Sequence, residues 1–386
     1  MRRNVQLDCL RGVAILLVIF CHTILFRDPG WEAPVVQFGW AGVDLFFVLS
    51  GFLISGLLFS EFRQKGSIRF ARFALRRALK IYPAFYALVL LTIFIRVVYH
   101  RPEPILRPFL NDLFFLQSYF PGTYGHFWSL SVEEHFYIFL PVLMYLMIRL
   151  SAPQRPDPFR YIPAFFLFIA ALLLSLRLWT SSHVPYSWQA HIFPTHLRID
   201  SLLFGVVLSY MAQFHTEKFW SLARPRYPLL LLVGCFLISP GFLLTQETPW
   251  MHTYGFSLLY LGFGAILIGT LAAPIESAPR AIQLGFRSLG FIGGFSYSIY
   301  LWHIPLLIWL GSIGILRKPY LGVSTFVLGS LVLGIATSKL IEIPVVRLRD
   351  QLFPQAVSAT PTLASAPTIP FARSVASADV TKATQT

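Results

Sequence analysis

Charged residues are scarce in this sequence of 386 residues: Asp, Glu, Lys and Arg together make up 12% of it. A soluble domain carries about 25% charged residues, so the shortage argues against an ordinary soluble protein. Apolar side chains take their place, since 56% of the residues are hydrophobic, 37 are Phe and 9 are Trp, and the mean hydropathy is +0.65. The composition is that of a polytopic membrane protein.

Cysteine is also rare. The three cysteines, Cys9, Cys21 and Cys235, all lie in apolar segments, and their odd number and spacing fit neither a disulfide framework nor a metal site. We therefore expect no bound metal. The sequence has no internal repeat either, which disfavours a transporter built from inverted repeats.

Ten segments are long and apolar enough to predict an all-α membrane domain, residues 1–350, of about ten transmembrane helices. They are roughly 7–26, 40–60, 80–100, 127–149, 160–179, 197–214, 228–245, 255–273, 288–310 and 321–342. An apolar stretch at 109–120 is too short to span a bilayer. Residues 351–386 are rich in Ala, Ser, Thr and Pro and are expected to form a disordered cytoplasmic tail.

The net charge of +14 could indicate a nucleic-acid partner, but its distribution has another explanation. If both chain ends are cytoplasmic and the segments alternate, 21 Lys and Arg residues fall on the cytoplasmic side and 7 on the outer side. This is the positive-inside bias of a multi-pass protein of the cytoplasmic (inner) membrane. We expect a lipid bilayer around the chain and no nucleic acid. The sequence does not indicate an oligomeric state.

Two titratable residues interrupt the first apolar segment, Arg11 and His22. Their spacing of 11 residues places them within roughly 20° of one helical face and roughly 16 Å apart along the axis. Ionisable groups inside a membrane helix usually face a protein interior and mark function. A snorkelling arginine and a hydrogen-bonded buried histidine are the plainer alternative.

Five predicted helices carry polar groups at a similar depth, near the outer leaflet. The candidates are His22, Asp44, Ser129, Glu133, Glu134, His135, His196, Arg198, Asp200 and His303. Ser129, Glu133 and Tyr137 share one helical face, because they are four residues apart. Acids and histidines that converge in this way are typical of a general acid–base site. Singly, His303 could be a satisfied buried imidazole, and Arg198 and Asp200 could belong to an inter-helix ion pair. Trp128, Trp302 and Tyr137 could be interfacial aromatics.

The predicted cytoplasmic loop before the third helix is strongly basic, with seven cations from Arg63 to Lys80. Such loops usually only set membrane orientation. In this one, Arg69, Arg72 and Arg76 repeat at helical spacing and could offer bidentate contacts to phosphate.

These stretches together resemble acyltransferase family 3, a family of integral-membrane O-acyltransferases that modify bacterial surface glycans and some antibiotics. The matching segments, in order, are LDCLRGVAILLVIFCH, GVDLFFVLSGFLIS, RRALKIYP, FWSLSVEEHFY, RIDSLLFG and SYSIYLWHIP. Two differences stand out. Lys80 stands where the family usually has arginine, which keeps the charge but loses bidentate geometry. No esterase-like domain follows the tenth segment, so the transferase-only form is expected.

The resemblance implies no bound cofactor but an acyl-CoA co-substrate, usually acetyl-CoA, taken from the cytoplasm. It implies that His22 is the essential histidine and Arg11 its motif partner, and that the basic cluster binds the donor. We therefore expect the donor to be bound by Arg11 together with Arg69, Arg72, Arg76, Arg77 and Lys80. We expect Glu133, or else Asp44, to orient the imidazole, and the remaining candidates, Trp128, Ser129, Glu134, His135, Tyr137, Arg198, Asp200 and His303, to support the acceptor side.

Two mechanisms remain open at this stage, direct transfer with His22 as base and an acyl-histidine intermediate. The acceptor is expected to be the hydroxyl of a glycan or of a small molecule on the outer side. A proton-coupled transporter is the competing class, because proton relays also need buried His, Asp and Glu. A non-catalytic membrane sensor would not need polar groups from five helices.

Overall fold

The computed structural model describes residues 4–25, 33–99, 106–151, 157–315 and 318–354, and these form helices and turns without a strand. The helices are α1 Val5–Cys21, α2 Ala33–Phe38, α3 Gly42–Lys65, α4 Phe70–Val98, α5 Leu106–Leu113, α6 Trp128–Leu150, α7 Ile162–His183, α8 Trp188–His191, α9 Ile199–Phe214, α10 Thr216–Ala223, α11 Tyr227–Ile238, α12 Phe256–Ala272, α13 Arg280–Gly293, α14 Ser296–Ser312, α15 Pro319–Thr337 and α16 Ile343–Leu352. The prediction of an all-α, multi-pass membrane protein is confirmed. Most of the predicted tail, from residue 355 on, lies outside the described residues.

The number of clear spans differs from the ten predicted. Within the described residues, eight helices are long and apolar enough to cross a membrane, and a bent pair makes nine. The sixth predicted segment is α9, an apolar helix of only 16 residues, because a 3-10 turn at Thr195–Leu197 precedes it. The apolar stretch at 109–120 begins as the eight-residue α5 and then leaves the helix.

The ninth predicted segment is broken rather than continuous. Helices α13 and α14 meet at an angle of 63°, and the break falls at Gly294 and Phe295, where the glycine-rich run Gly290–Gly294 disfavours a continuous helix. Both residues line a cavity described below. Non-helical backbone at membrane depth is tolerated where it faces such a cavity rather than lipid.

Buried side chains, most of them apolar, surround the axis of helix α3 on all sides. This pattern is that of a helix at the centre of a bundle. It packs closely against α9 through Gly51 and Gly205. A Cβ atom at either position would collide with the backbone of the other helix, at Leu202 or at Val48. The close approach holds α9, short as it is, deep inside the protein.

The contacts between helix ends agree with the alternating topology. Ends that the charge bias places in the cytoplasm bond to one another, as in Gln6 with Thr270, Arg63 with Gln213, Tyr210 with Asp157 and Arg76 with Asp350. Ends predicted to be outside also meet, as in His22 with His303, Tyr119 with His196 and Ser181 with His252. Each set therefore shares one end of the bundle.

Two exposed lysines test the topology. We expect Lys218→Cys and Lys318→Cys, each in a background with Cys9, Cys21 and Cys235 changed to alanine, to be labelled from opposite sides of the membrane. The reagent is an impermeant maleimide, added to intact cells and to inverted vesicles. Labelling of both positions from the same side would contradict the alternation on which the two-sided site depends.

Candidate active site

Two cavities meet inside the bundle. The first, here called the central cavity, has a volume of about 110 Å³. The second, the basic cavity, has a volume of about 400 Å³ and lies toward the end of the bundle predicted to be cytoplasmic. Arg11, Arg77 and Lys80 line both. These three cations therefore stand where the cavities join, and a flexible ligand could extend from one into the other.

The central cavity contains the helical face that the sequence predicted on α6. Glu133 accepts hydrogen bonds from Ser50 (2.8 Å) and from Tyr137 (2.9 Å). The guanidinium of Arg77 lies over the Tyr137 ring, 4.9 Å from its centroid. Glu134 accepts a bond from Tyr82 at 3.1 Å. These contacts fix the carboxylates in the cavity wall.

The basic cavity is lined by six cations and two carboxylates. They are Arg11, Arg72, Arg76, Arg77, Lys80 and Arg349 on one hand and Glu61 and Glu342 on the other. Arg69 lies outside: it is exposed and lines a separate shallow depression with Leu352 and Phe353. This differs from the expectation that Arg69 joins its neighbours, because Arg69 precedes the first turn of α4 and is directed away from the cavity. Arg349, on α16, comes from a part of the sequence that showed no such signal.

His22 belongs to a cluster of three imidazoles at the predicted outer end of the bundle. The ring of His303 lies 5.1 Å from that of His22 and 5.1 Å from that of His126. Tyr300 connects the cluster to the central cavity. Its ring lies 5.4 Å from those of His126 and His303, and its hydroxyl is 2.5 Å from that of Ser129. Tyr300 and Ser129 both line the central cavity, so this pair lies between the cavity and the histidines.

Each imidazole of the cluster directs one nitrogen to a backbone carbonyl. The partner of Nδ1 of His22 is Val18 (2.8 Å), that of Nδ1 of His303 is Tyr300 (2.5 Å), and that of Nε2 of His126 is Leu301 (3.3 Å). A carbonyl only accepts, so each of these nitrogens carries the hydrogen, and in the neutral ring the other nitrogen holds the lone pair. Nε2 of His303 and Nδ1 of His126 are buried without a hydrogen-bond partner.

The local sequence explains why two of these carbonyls, those of Val18 and Leu301, are available to the imidazoles. The amide of His22 bonds to Ile19 as α1 tightens into a 3-10 turn, which leaves the Val18 carbonyl to the ring. Pro305 has no N–H to donate to the carbonyl four residues earlier, that of Leu301. His126 makes up this loss.

The expected partnership of His22 with a carboxylate is not what the structure shows. The bond recorded at Nδ1 of His22 goes to Val18, Glu133 bonds to Ser50 and Tyr137, and Asp44 bonds to Arg198 at 2.6 Å. Equal depth in the membrane therefore did not mean contact. A backbone carbonyl orients His22, and the neighbours of its ring are histidines.

Asp44, Arg198 and Asp200 form a buried ionic cluster together with Arg177. Asp200 pairs with Arg177 at 2.7 Å, and all four side chains are at most 1% exposed. The guanidinium of Arg198 lies 3.6 Å from the Phe256 ring centroid. The cluster has no net formal charge, and it joins α3, α7, α9 and α12. Arg198 and Asp200 thus form inter-helix ion pairs, with Asp44 and with Arg177 respectively, and the cluster links these helices to one another.

The other predicted acceptor-side residues occupy the outer end of the bundle. His135 is 2.7 Å from the Thr195 hydroxyl, and Trp128 stacks on Phe193 at 5.1 Å. Trp128 is buried, so it is not an interfacial aromatic. Nearby, Asp112 accepts bonds from Thr123 and Gln117 and holds the loop after α5. Burial raises the pKa of the Asp112 carboxyl, and these bonds oppose the rise.

Sequence reasoning did not single out His126, Arg177 or Arg349. A signal for His126 was present, because it directly precedes the FWSLSVEEHFY stretch. Arg177 and Arg349 carried none, since Arg177 is a single cation at the end of the fifth predicted segment and Arg349 follows the tenth, near Arg347. Among the described residues, no group of three or more His, Cys, Asp or Glu side chains is arranged to hold a metal ion.

These features define a membrane-embedded protein in which a cationic cavity leads through a polar cavity toward clustered histidines. Residues 4–341 match the model of the acyltransferase domain of acyltransferase family 3, so the chain belongs to that family. This confirms the resemblance seen in the sequence motifs.

Named relatives are O-acetyltransferases. The chain is 28% identical over 327 residues to the peptidoglycan O-acetyltransferase OatA of Listeria monocytogenes, an alignment that covers 78% of this chain and 49% of the relative. It is 26% identical over 328 residues to the O-acetyltransferase OatA of Staphylococcus aureus, covering 79% and 51%. The chain thus spans about half the length of these relatives. No solved structure matches it.

Proposed function

We propose that the protein is an O-acetyltransferase of the cell membrane that moves an acetyl group from cytoplasmic acetyl-CoA to a hydroxyl of a glycan on the outer side. The observation that carries this proposal is the junction of the two cavities at Arg11, Arg77 and Lys80. In it, the CoA phosphates lie among the arginines of the basic cavity. The pantetheine arm passes the junction, and the thioester lies in the central cavity below Ser129 and Tyr300.

His22 acts as the general base in this proposal. Its Nε2 lone pair accepts the proton of the acceptor hydroxyl while the oxygen attacks the thioester carbonyl. The carbon–sulfur bond then breaks, and the CoA thiolate leaves and takes the proton from the imidazolium. The bond from Nδ1 to Val18 supports this role, because it fixes the tautomer that leaves Nε2 free. Tyr300 and Ser129 must move apart for the thioester in the central cavity to reach His22.

His303 takes the place that the sequence led us to assign to a carboxylate. Its ring is in contact with His22, and its Nε2 has a lone pair and no partner. A neutral imidazole stabilises a neighbouring imidazolium by accepting a hydrogen bond from it. His303 therefore supports the charge that forms on His22 during transfer.

The acceptor class rests on the relatives, of which one is named for peptidoglycan. Membership of the acyltransferase family favours acyl transfer over the proton-coupled transporter. The test incubates purified protein with radiolabelled acetyl-CoA and peptidoglycan fragments, and measures free CoA thiol and labelled glycan together. Equal amounts of both are expected. Thiol release without labelled glycan would refute the acceptor class. If neither product forms and proteoliposomes containing the protein conduct protons, the transporter alternative is correct.

A basic residue of the junction gives a quantitative test of donor binding. We expect Arg77→Ala to weaken the affinity for a non-hydrolysable acetyl-CoA analogue by about tenfold or more, because one charge-assisted contact contributes about 1.5–3 kcal/mol. Isothermal titration in detergent measures this. Arg69→Ala is the matched control, since Arg69 lies on the same basic segment but outside the cavity.

A substitution at Lys80 should not weaken donor binding, in contrast to Arg77→Ala. Lys80→Arg restores the family's usual residue and should leave donor affinity unchanged or improve it. If Arg77→Ala and Arg69→Ala have the same small effect, the segment serves membrane topology alone and the donor binds elsewhere.

A further inference from the structure

One carboxylate lies where the basic cavity meets the last helix. Oδ1 of Asp350 is 2.8 Å from Arg76 on α4 and 2.8 Å from Arg349 on α16. The two arginine side chains are 12% exposed and Asp350 is 51% exposed. Two guanidinium groups thus hold a single anionic oxygen at the edge of the cavity.

Both arginines line the basic cavity, but Asp350 does not. Other bonds hold the arginines in place without the carboxylate. Arg76 also donates to the carbonyl of Phe353, and Arg349 donates to the carbonyl of Arg76 at 3.3 Å. The pair of arginines, called here the arginine clamp, is therefore built into the contact between α4 and α16. Asp350 is the exposed and exchangeable member.

We infer that the arginine clamp is part of the donor phosphate site, and that Asp350 occupies it as an internal anion until a phosphate of the ligand displaces it. This rests on the proposed function, in which the ligand is acyl-CoA. It adds Arg349 to the binding residues. It also means that α16, through Asp350, competes with the ligand for the phosphate site.

Charge and geometry favour the exchange. A phosphate group offers three or more oxygens and more negative charge than a carboxylate, and two arginines can bind it bidentately. Asp350, half exposed, loses little when it turns to water. The carboxylate therefore lowers the apparent affinity for the donor, because the ligand must compete with it.

Three substitutions on one helix test this. Arg349→Ala should weaken binding of the non-hydrolysable acetyl-CoA analogue by about tenfold. Asp350→Asn should strengthen it severalfold, since it removes the competing charge and keeps the shape. Arg347→Ala is the matched control: it removes the same charge from the same helix, but Arg347 is exposed and does not line the cavity.

The inference is overturned if Arg349→Ala behaves like Arg347→Ala, or if Asp350→Asn weakens binding. Titration with inorganic pyrophosphate separates this result from the proposed function. If the wild-type protein binds no acetyl-CoA analogue, the proposed function fails. Pyrophosphate binding that depends on Arg349 would still establish the phosphate clamp. If phosphatidylglycerol in nanodiscs competes with the analogue through Arg349, the clamp binds a lipid headgroup and its assignment to the donor is refuted.

Discussion

His22→Ala should lower acetyl transfer by about 100-fold or more, since a positioned general base contributes about that factor. The variant should still bind the acetyl-CoA analogue with unchanged affinity, because His22 lines neither the central nor the basic cavity. The measurement is the initial rate of labelled glycan formation, together with isothermal titration of the same preparation. A rate close to that of the wild type would rule out His22 as the base.

Two further histidines sharpen this test. His183→Ala is the matched control, since His183 is exposed at the outer end of α7, stacks on Trp179 and lines neither cavity. It should not change the rate. His303→Asn should lower the rate, but less than His22→Ala, and without weakening donor binding. Loss of folded protein in His303→Asn with a normal rate per folded molecule would instead make His303 structural.

The fold was predictable because membrane helices obey local rules. Ten apolar stretches and the bias of positive charge predict a helical bundle with alternating connections. The break between α13 and α14 was less accessible, since Gly294 and Phe295 lie inside a run that is apolar throughout. The apolarity of that run does not show whether a glycine bends it.

The candidate site was predictable in its members but not in their partners. Periodicity correctly placed Ser129, Glu133 and Tyr137 on one face of α6, and that face lines the central cavity. The membrane depth predicted from the sequence also placed His22 and His303 at one level, and their rings are in contact there. The same reasoning failed for the partner of His22, since depth says nothing about which helices are neighbours. That choice depends on packing, such as the close contact of α3 with α9.

Asp44 illustrates this limit and leads to the second large effect that we expect. Asp44→Leu should destabilise the protein by about 3–5 kcal/mol, because it leaves the guanidinium of Arg198 buried without its carboxylate. Arg198 is 1% exposed, and its Nε and Nη1 already lack hydrogen-bond partners. Unfolding in detergent, followed by tryptophan fluorescence, measures the change. A silent Asp44→Leu would contradict the ionic cluster.

The double variant Asp44→Leu with Arg198→Met decides between a structural and a catalytic Asp44. Removing both charges leaves the pair Arg177–Asp200 balanced, and replacing a buried ion pair by apolar side chains of similar size is often neutral or stabilising. We therefore expect the double variant to recover most of the stability and to retain acetyl transfer. If stability returns while transfer stays abolished, Asp44 or Arg198 takes part in the reaction, as the sequence alone suggested. Phe256 and Trp128, which lie against the guanidinium at 3.6 and 5.7 Å from their ring centroids, provide apolar contacts for the methionine that replaces it.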